Sequence, residues 1–161
     1  AGWSNVFVVD GQEDDPRAVL VRYIREKVDY SLDNPMLSRL FTRELLDGGP
    51  NLGSYWPVAL ASTQTKIDLI ERWVAEDKLR VLDARLLLMH IWAMTQHYAD
   101  YALQVRVMLQ ATGHAEDDVA SDAAGDVSRS DPPDRSLPLP RDTVVREITN
   151  LVLLGCGLAP L

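Results

Sequence analysis

The run ARLLLMHIWAMTQHYADYALQVRVMLQ, residues 84–110, decides the fold class. Apolar side chains return at steps of four and three: Leu87, Ile91, Met94, Tyr98, Tyr101, Val105 and Met108. That is the period of an α-helix. A second stripe, Leu88, Trp92, Thr95, Ala99, Ala102 and Leu109, lies beside it. Two adjacent stripes predict a helix buried over more than half its circumference. At 1.5 Å per residue it is about 40 Å long. Such a helix is either central to its domain or pressed against a partner chain. Asp83 stands where a cap is needed.

Working outward, the same periodicity predicts further helices. Asp14 or Asp15 caps a helix that holds Pro16 in its first turn, with Val19, Leu20, Tyr23, Ile24 and Val28 on one face and Lys27 beside them. This helix ends near Leu32. Asn34 caps a restart at Pro35, and Gly48-Gly49-Pro50 stops it. A third helix begins at Pro57, with Leu60, Ile67, Ile70 and Val74 on one face and Trp73 at its edge. The last runs from about Arg141 to Leu154 with Val144, Val145, Ile148, Leu151 and Val152, and Gly155 and Gly157 end it. No stretch shows period-two alternation. The domain is read as all-α, a bundle of about five main helices.

The remaining segments differ in kind. Ala1–Gly11 is apolar and resembles the tail of an element begun upstream, so the chain reads as a piece of something longer. Between His114 and Arg135 stand seven acids and two arginines. Residues 113–136 have the Asp-, Ser-, Gly- and Pro-rich composition of a disordered acidic loop.

Composition narrows the function. The 161 residues suit one domain, and 47% hydrophobic content suits a packed core. The net charge is −8 and no basic cluster exists, which argues against direct binding to DNA or an anionic membrane. The longest apolar runs are too short to span a bilayer. The single cysteine, Cys156, excludes an internal disulfide and suits a cytoplasmic protein. No nucleophile-elbow, Cys-His or HExxH pattern is present, and no cofactor motif, so an enzyme is not expected. Cys156, at a helix end, reads as inert.

Gln96 interrupts the apolar pattern one turn after Trp92. A buried carboxamide must find partners or cost about 1–3 kcal/mol. A planar amide-bearing ligand supplies both a donor and an acceptor, and an indole offers a face for stacking. The alternative is a glutamine bonded to a neighbouring helix or reaching solvent. Phe41 and Leu45, one turn apart on a middle helix, are candidate pocket walls. Asp100 is expected to pair with Arg39 or Arg43. His90 and His97 stand about 10.5 Å apart along one helix face, too far for one metal ion. With Tyr101 they fit a helix–helix contact.

Two motifs carry a resemblance. DNPMLSRLFTRELLDGGPNL (33–52) followed by IWAMTQHYADYALQV (91–105) is similar to the effector-binding C-terminal domain of TetR-type transcriptional regulators. The likeness is closest to the branch that includes the regulator of pyrimidine utilisation. It spans about Trp3 to Gln110 and resumes in the last helix. It implies a small-molecule pocket lined by Trp92 and Gln96, and no metal. It also implies a homodimer joined through the long and last helices, with His90, His97, Tyr101, Ile148, Leu151 and Val152 at the contact. DNA would be reached only through an N-terminal helix-turn-helix domain that does not lie in this chain. Two departures stand out: that absence, and an acidic insertion longer than the family's usual connection. The alternatives are a helical dimerisation scaffold without a ligand and an unrecognised helical enzyme.

Overall fold

Pro16 opens the first helix because its missing N–H costs nothing there and its φ is already helical. Asp15 caps this helix by accepting the Arg17 N–H at 3.0 Å. A computed structural model describes residues 14–112 and 139–161. Among these residues it contains six α-helices and no strand: α1 (Pro16–Asp33), α2 (Pro35–Leu46), α3 (Trp56–Ala75), α4 (Ala84–Asp100), α5 (Ala102–Thr112) and α6 (Arg141–Gly155). The apolar opening segment and the acidic stretch 113–136 lie outside the described residues.

Helix α1 is the hub. It packs against α4 on one side and α6 on the other, while α2 and α3 close over α4. The core joins Val19, Leu20, Ile24 and Val28 of α1 to Ile70 and Trp73 of α3, Leu88 and Ile91 of α4, and Val144, Val145, Ile148 and Leu153 of α6. Each such fully buried aliphatic side chain contributes about 1.5–3 kcal/mol relative to exposure. Helix α3 shows one difference from the expected face. Trp73 is its fully buried centre, with Lys66 and Ile70, whereas Leu60 is exposed.

Several helix ends follow local chemistry, and the start of α2 does not. Gly48 (φ +88°) and Gly49 (φ +70°) take the left-handed conformation that lets the chain leave α2. Asp83 accepts the Arg85 and Leu86 N–H groups and so starts α4. Asn34 does not cap α2 with its side chain; its Nδ2 donates back to the Tyr30 carbonyl at 3.0 Å. At the far end, the Arg80 N–H donates to the Cys156 carbonyl at 3.1 Å and the Arg80 side chain donates to the Gly155 carbonyl. The turn between α3 and α4 is thereby tied to the end of α6. Cys156 is fully buried, and burial pushes its thiol upward, away from the reactive thiolate.

The long helix read from the sequence is two helices. Tyr101 leaves helical geometry (φ −109°, ψ 33°) between α4 and α5, although its N–H still donates to the His97 carbonyl. Two side-chain contacts mark the break. Asp100 accepts the Ser38 and Thr42 hydroxyls of α2, each at 2.5 Å, and the Tyr101 ring stacks on His97 at 5.1 Å. Asp100 thus takes hydroxyls and not the arginines Arg39 or Arg43, because Ser38 and Thr42 lie on the face of α2 that meets α4. Beyond the break the burial also changes: Leu103, Val107 and Met108 of α5 are exposed and Val105 is buried.

Removing the Asp100 clamp leaves the buried Ser38 hydroxyl without its acceptor. Asp100→Ala should cost about 2–4 kcal/mol, since bonds to a charged acceptor are each worth about 1.5–3 kcal/mol. Urea denaturation measures this, and a change below about 1 kcal/mol would contradict the clamp.

Candidate functional site

The interior face of α1 carries two polar side chains where its stripe calls for apolar ones. Tyr23 and Lys27 stand one turn apart, and both are buried. Trp92 of α4 meets the first: its Nε1–H donates to the Tyr23 hydroxyl at 2.8 Å. That bond fixes the plane of the indole. Burial, and secondarily the nearby Tyr55, push the Tyr23 phenol up to about 12 against the opposing effect of the Trp92 bond, so it stays protonated.

Tyr55, the residue before α3, is half-buried, and burial raises its phenol as well. Its ring meets Phe41 of α2 edge-on at 5.4 Å and Trp56 at 5.7 Å. An aromatic chain therefore runs from Phe41 through Tyr55 toward Tyr23 and Trp92.

Lys27 is 7% exposed and Lys66, on the inner face of α3, is 5% exposed. Burial, reinforced by the positive charge of Lys66, brings the Lys27 ammonium down to about 7. Burial lowers Lys66 too. Lys66 Nζ donates to Ser62 Oγ at 2.6 Å and to the Ser62 carbonyl at 3.1 Å.

Gln96 is half-buried, one turn beyond Trp92. Among the described residues its carboxamide makes no hydrogen bond, so it is not bonded to a neighbouring helix there, while its partial exposure lets it reach solvent. Leu45 is 40% exposed, and it does not join the Phe41–Tyr55 aromatic pair.

A separate groove of about 600 Å³ lies on the opposite face of α4, between α4 and α6. Leu86, His90, Ala93 and Met94 line it from α4, and Leu151 and Val152 from α6. The groove does not include Trp92 or Gln96. Of the side chains expected at a partner contact, His90, Leu151 and Val152 meet here. Tyr101 is 51% exposed and stacks on His97 at the end of α4. Ile148 turns inward at 3% exposed and has little surface left for a partner.

Sequence reasoning passed over Tyr23, Tyr55, Lys27 and Lys66 as site residues. A signal existed for the lysines. Lys27 follows Tyr23 by four and Lys66 precedes Ile70 by four, the same interruption of an apolar stripe that singled out Gln96.

Chemically, the cluster holds hydrogen-bonding groups and flat faces in fixed positions. Among the described residues no group of three or more His, Cys, Asp or Glu could hold a metal ion. No described helix is long and apolar enough to cross a membrane. The chain belongs to the TetR-type family described as YcdC-like protein, C-terminal region, which matches residues 2–129. It is 44% identical over 98 residues to the HTH-type transcriptional regulator RutR of Escherichia coli (strain K12), and equally to that of Shigella flexneri. The match covers 60% of this chain and 46% of those proteins, so the chain spans about half the length of the curated relatives it matches. The family is one of transcriptional regulators and not of enzymes.

Proposed function

We propose that this chain is the ligand-sensing and dimerisation domain of a TetR-type transcriptional repressor. It binds a small planar molecule beside Trp92 and Gln96, with Phe41 and Leu45 toward the pocket's edge. It controls DNA binding by a helix-turn-helix domain outside residues 1–161, in the cytoplasm. The observation that carries the reading is the half-buried Gln96 carboxamide, which spends no hydrogen bond on the described residues and lies one turn from an indole held by Tyr23. A ligand with one amide edge satisfies it; an uncompensated amide costs about 1–3 kcal/mol.

For a switch, the ligand must favour one arrangement of the helices, typically by a coupling of about 1–3 kcal/mol. Helix α4 is suited to transmit this. It carries Trp92 and Gln96 on one face, the α6 groove on the other, and the Asp100 clamp to α2 at its end.

Pairing through α4 and α6 makes a homodimer. Leu86 at 52% and Leu151 at 64% exposed are the apolar surface that a twofold contact would cover. Sedimentation equilibrium tests this: Leu151→Glu should shift the protein from dimer to monomer, and an unchanged dimer would place the contact elsewhere.

The ligand is tested by thermal shift with uracil and other nucleobases. A ligand at a hundredfold its dissociation constant adds about 2.7 kcal/mol of stability. Gln96→Leu should remove the shift and leave the fold intact; a shift that survives it moves the site away from Gln96. The position of the 600 Å³ groove, away from Trp92, favours the second reading, a helical dimerisation scaffold without a ligand. That reading predicts dimers and no shift with any nucleobase.

A further inference from the structure

Trp92, the aromatic member of the proposed ligand site, packs against the core and keeps part of its surface exposed. Side-chain torsions set where an indole face points, and the outer one is only loosely restricted by the helix itself. The bond from Trp92 Nε1–H to the Tyr23 hydroxyl, at 2.8 Å, removes that freedom. Tyr23 is a firm anchor. It is 3% exposed and belongs to the same core cluster as Val19, Leu20 and Ile24 of α1. Burial keeps its phenol protonated, so the acceptor is a neutral oxygen. The bond crosses from α1 to α4, the two helices most extensively packed together.

The same bond decides what the indole has left to offer. Its N–H is spent on Tyr23, so the ring face remains. Hydrogen bonding to a ligand then falls to Gln96, one turn along α4. A face already set before the ligand arrives costs less to stack on than one that must be ordered at binding.

We infer that Tyr23 is a positioning residue for ligand binding: it does not touch the ligand, and it holds the Trp92 indole in the plane on which a flat ring stacks. This role rests on the ligand site proposed above. It divides recognition between two side chains, stacking to Trp92 and hydrogen bonding to Gln96.

Isothermal titration of uracil, thymine and cytosine into the full chain tests the role. It is run on the parent protein, Tyr23→Phe, Trp92→Phe and the double variant. Tyr23→Phe keeps the buried ring and removes the hydroxyl alone. The tightest-binding base should bind this variant about five- to tenfold more weakly, the worth of one hydrogen bond, while a thermal melt shows the variant folded. In the Trp92→Phe background the same substitution should change affinity by less than about twofold, because the residue it acts through is gone. A second readout uses the parent alone. The Trp92 indole N–H resonance, assigned by its loss in Trp92→Phe, should exchange with solvent more slowly than that of free tryptophan, with and without the base. Affinity of Tyr23→Phe within about twofold of the parent overturns the role. So does an equal loss in the Trp92→Phe background, or an indole N–H that exchanges as fast as free tryptophan. Each of these leaves the Trp92–Gln96 site standing. Failure of every base to bind the parent at millimolar concentration overturns the role together with the ligand site.

Discussion

Replacing Trp73 with Ala should lower the unfolding free energy by about 3–5 kcal/mol, the usual cost of emptying a buried aromatic position. Trp73 is fully buried in the core between α3 and its neighbours. It also has a polar role. Its Nε1–H donates to Asp14 Oδ1 at 2.9 Å, and the same carboxylate pairs with Arg72 at 3.2 Å and with Lys78. The hydrogen bond from Lys78, then that from Trp73, holds Asp14 below the usual carboxylate range. The Trp73 carbonyl accepts the N–H groups of Lys78 and Leu79, which shapes the turn into α4. One residue thus joins the start of α1, the end of α3 and the following turn. Urea denaturation measures the loss. Trp73→Phe should lose less, because most of the ring volume remains. A loss under 1 kcal/mol for Trp73→Ala would contradict this account of the core.

Replacing Lys27 with Met should do the opposite and stabilise the domain, because it removes a group whose charged form burial disfavours. The pH dependence supplies a second, independent readout. In the unfolded chain Lys27 titrates at its ordinary 10.5, and in the fold at about 7. Between those values the unfolded state holds more protons, so stability rises with pH across the interval. Below about 7 the lysine is charged in both states and the full penalty is present. Lys66 is lowered and acts in the same direction. Tyr23 acts against it at higher pH: its phenol ionises near 10 when unfolded and near 12 when folded, so stability falls above about 10. The parent protein should therefore gain stability from pH 7 to about 10 and lose it beyond. Lys27→Met should flatten the rising limb and keep the falling one. An unchanged rising limb in the variant would show that another group titrates there.

The helices were legible where a local signal existed. Asp15, Pro16, Asp83 and the Gly48-Gly49 pair act through their own backbone neighbours, and each ends or starts a helix where its chemistry requires. Asn34 shows the limit of that reasoning. Its side chain had two nearby backbone partners, and the structure gives it the Tyr30 carbonyl. The break at Tyr101 was not legible, because periodicity runs through it unchanged. The contacts that mark it come from Ser38 and Thr42, about sixty residues earlier in the chain.

The candidate site divides in the same way. Gln96 and Trp92 could be named because a carboxamide broke an apolar stripe beside an indole. Phe41 was offered as a wall only from its own helix face, and Tyr23 and Tyr55 were not joined to them, since they arrive from α1 and from the start of α3. Leu45 shared a helix face with Phe41 on the wheel, yet it remains 40% exposed because the neighbouring helices cover one end of α2 more than the other.

By itself, the order of residues determined an all-helical domain, the approximate limits of its helices and the faces that would turn inward. These follow from periodicity and from end signals, which act over a few residues. The tertiary structure alone decided which inward faces meet. It decided that two lysines share one interior, that Asp100 takes hydroxyls and not guanidinium groups, and that the groove lies across α4 from Trp92. Such outcomes depend on packing between segments far apart in the chain, where shape and charge are matched in three dimensions and no local pattern records the partner.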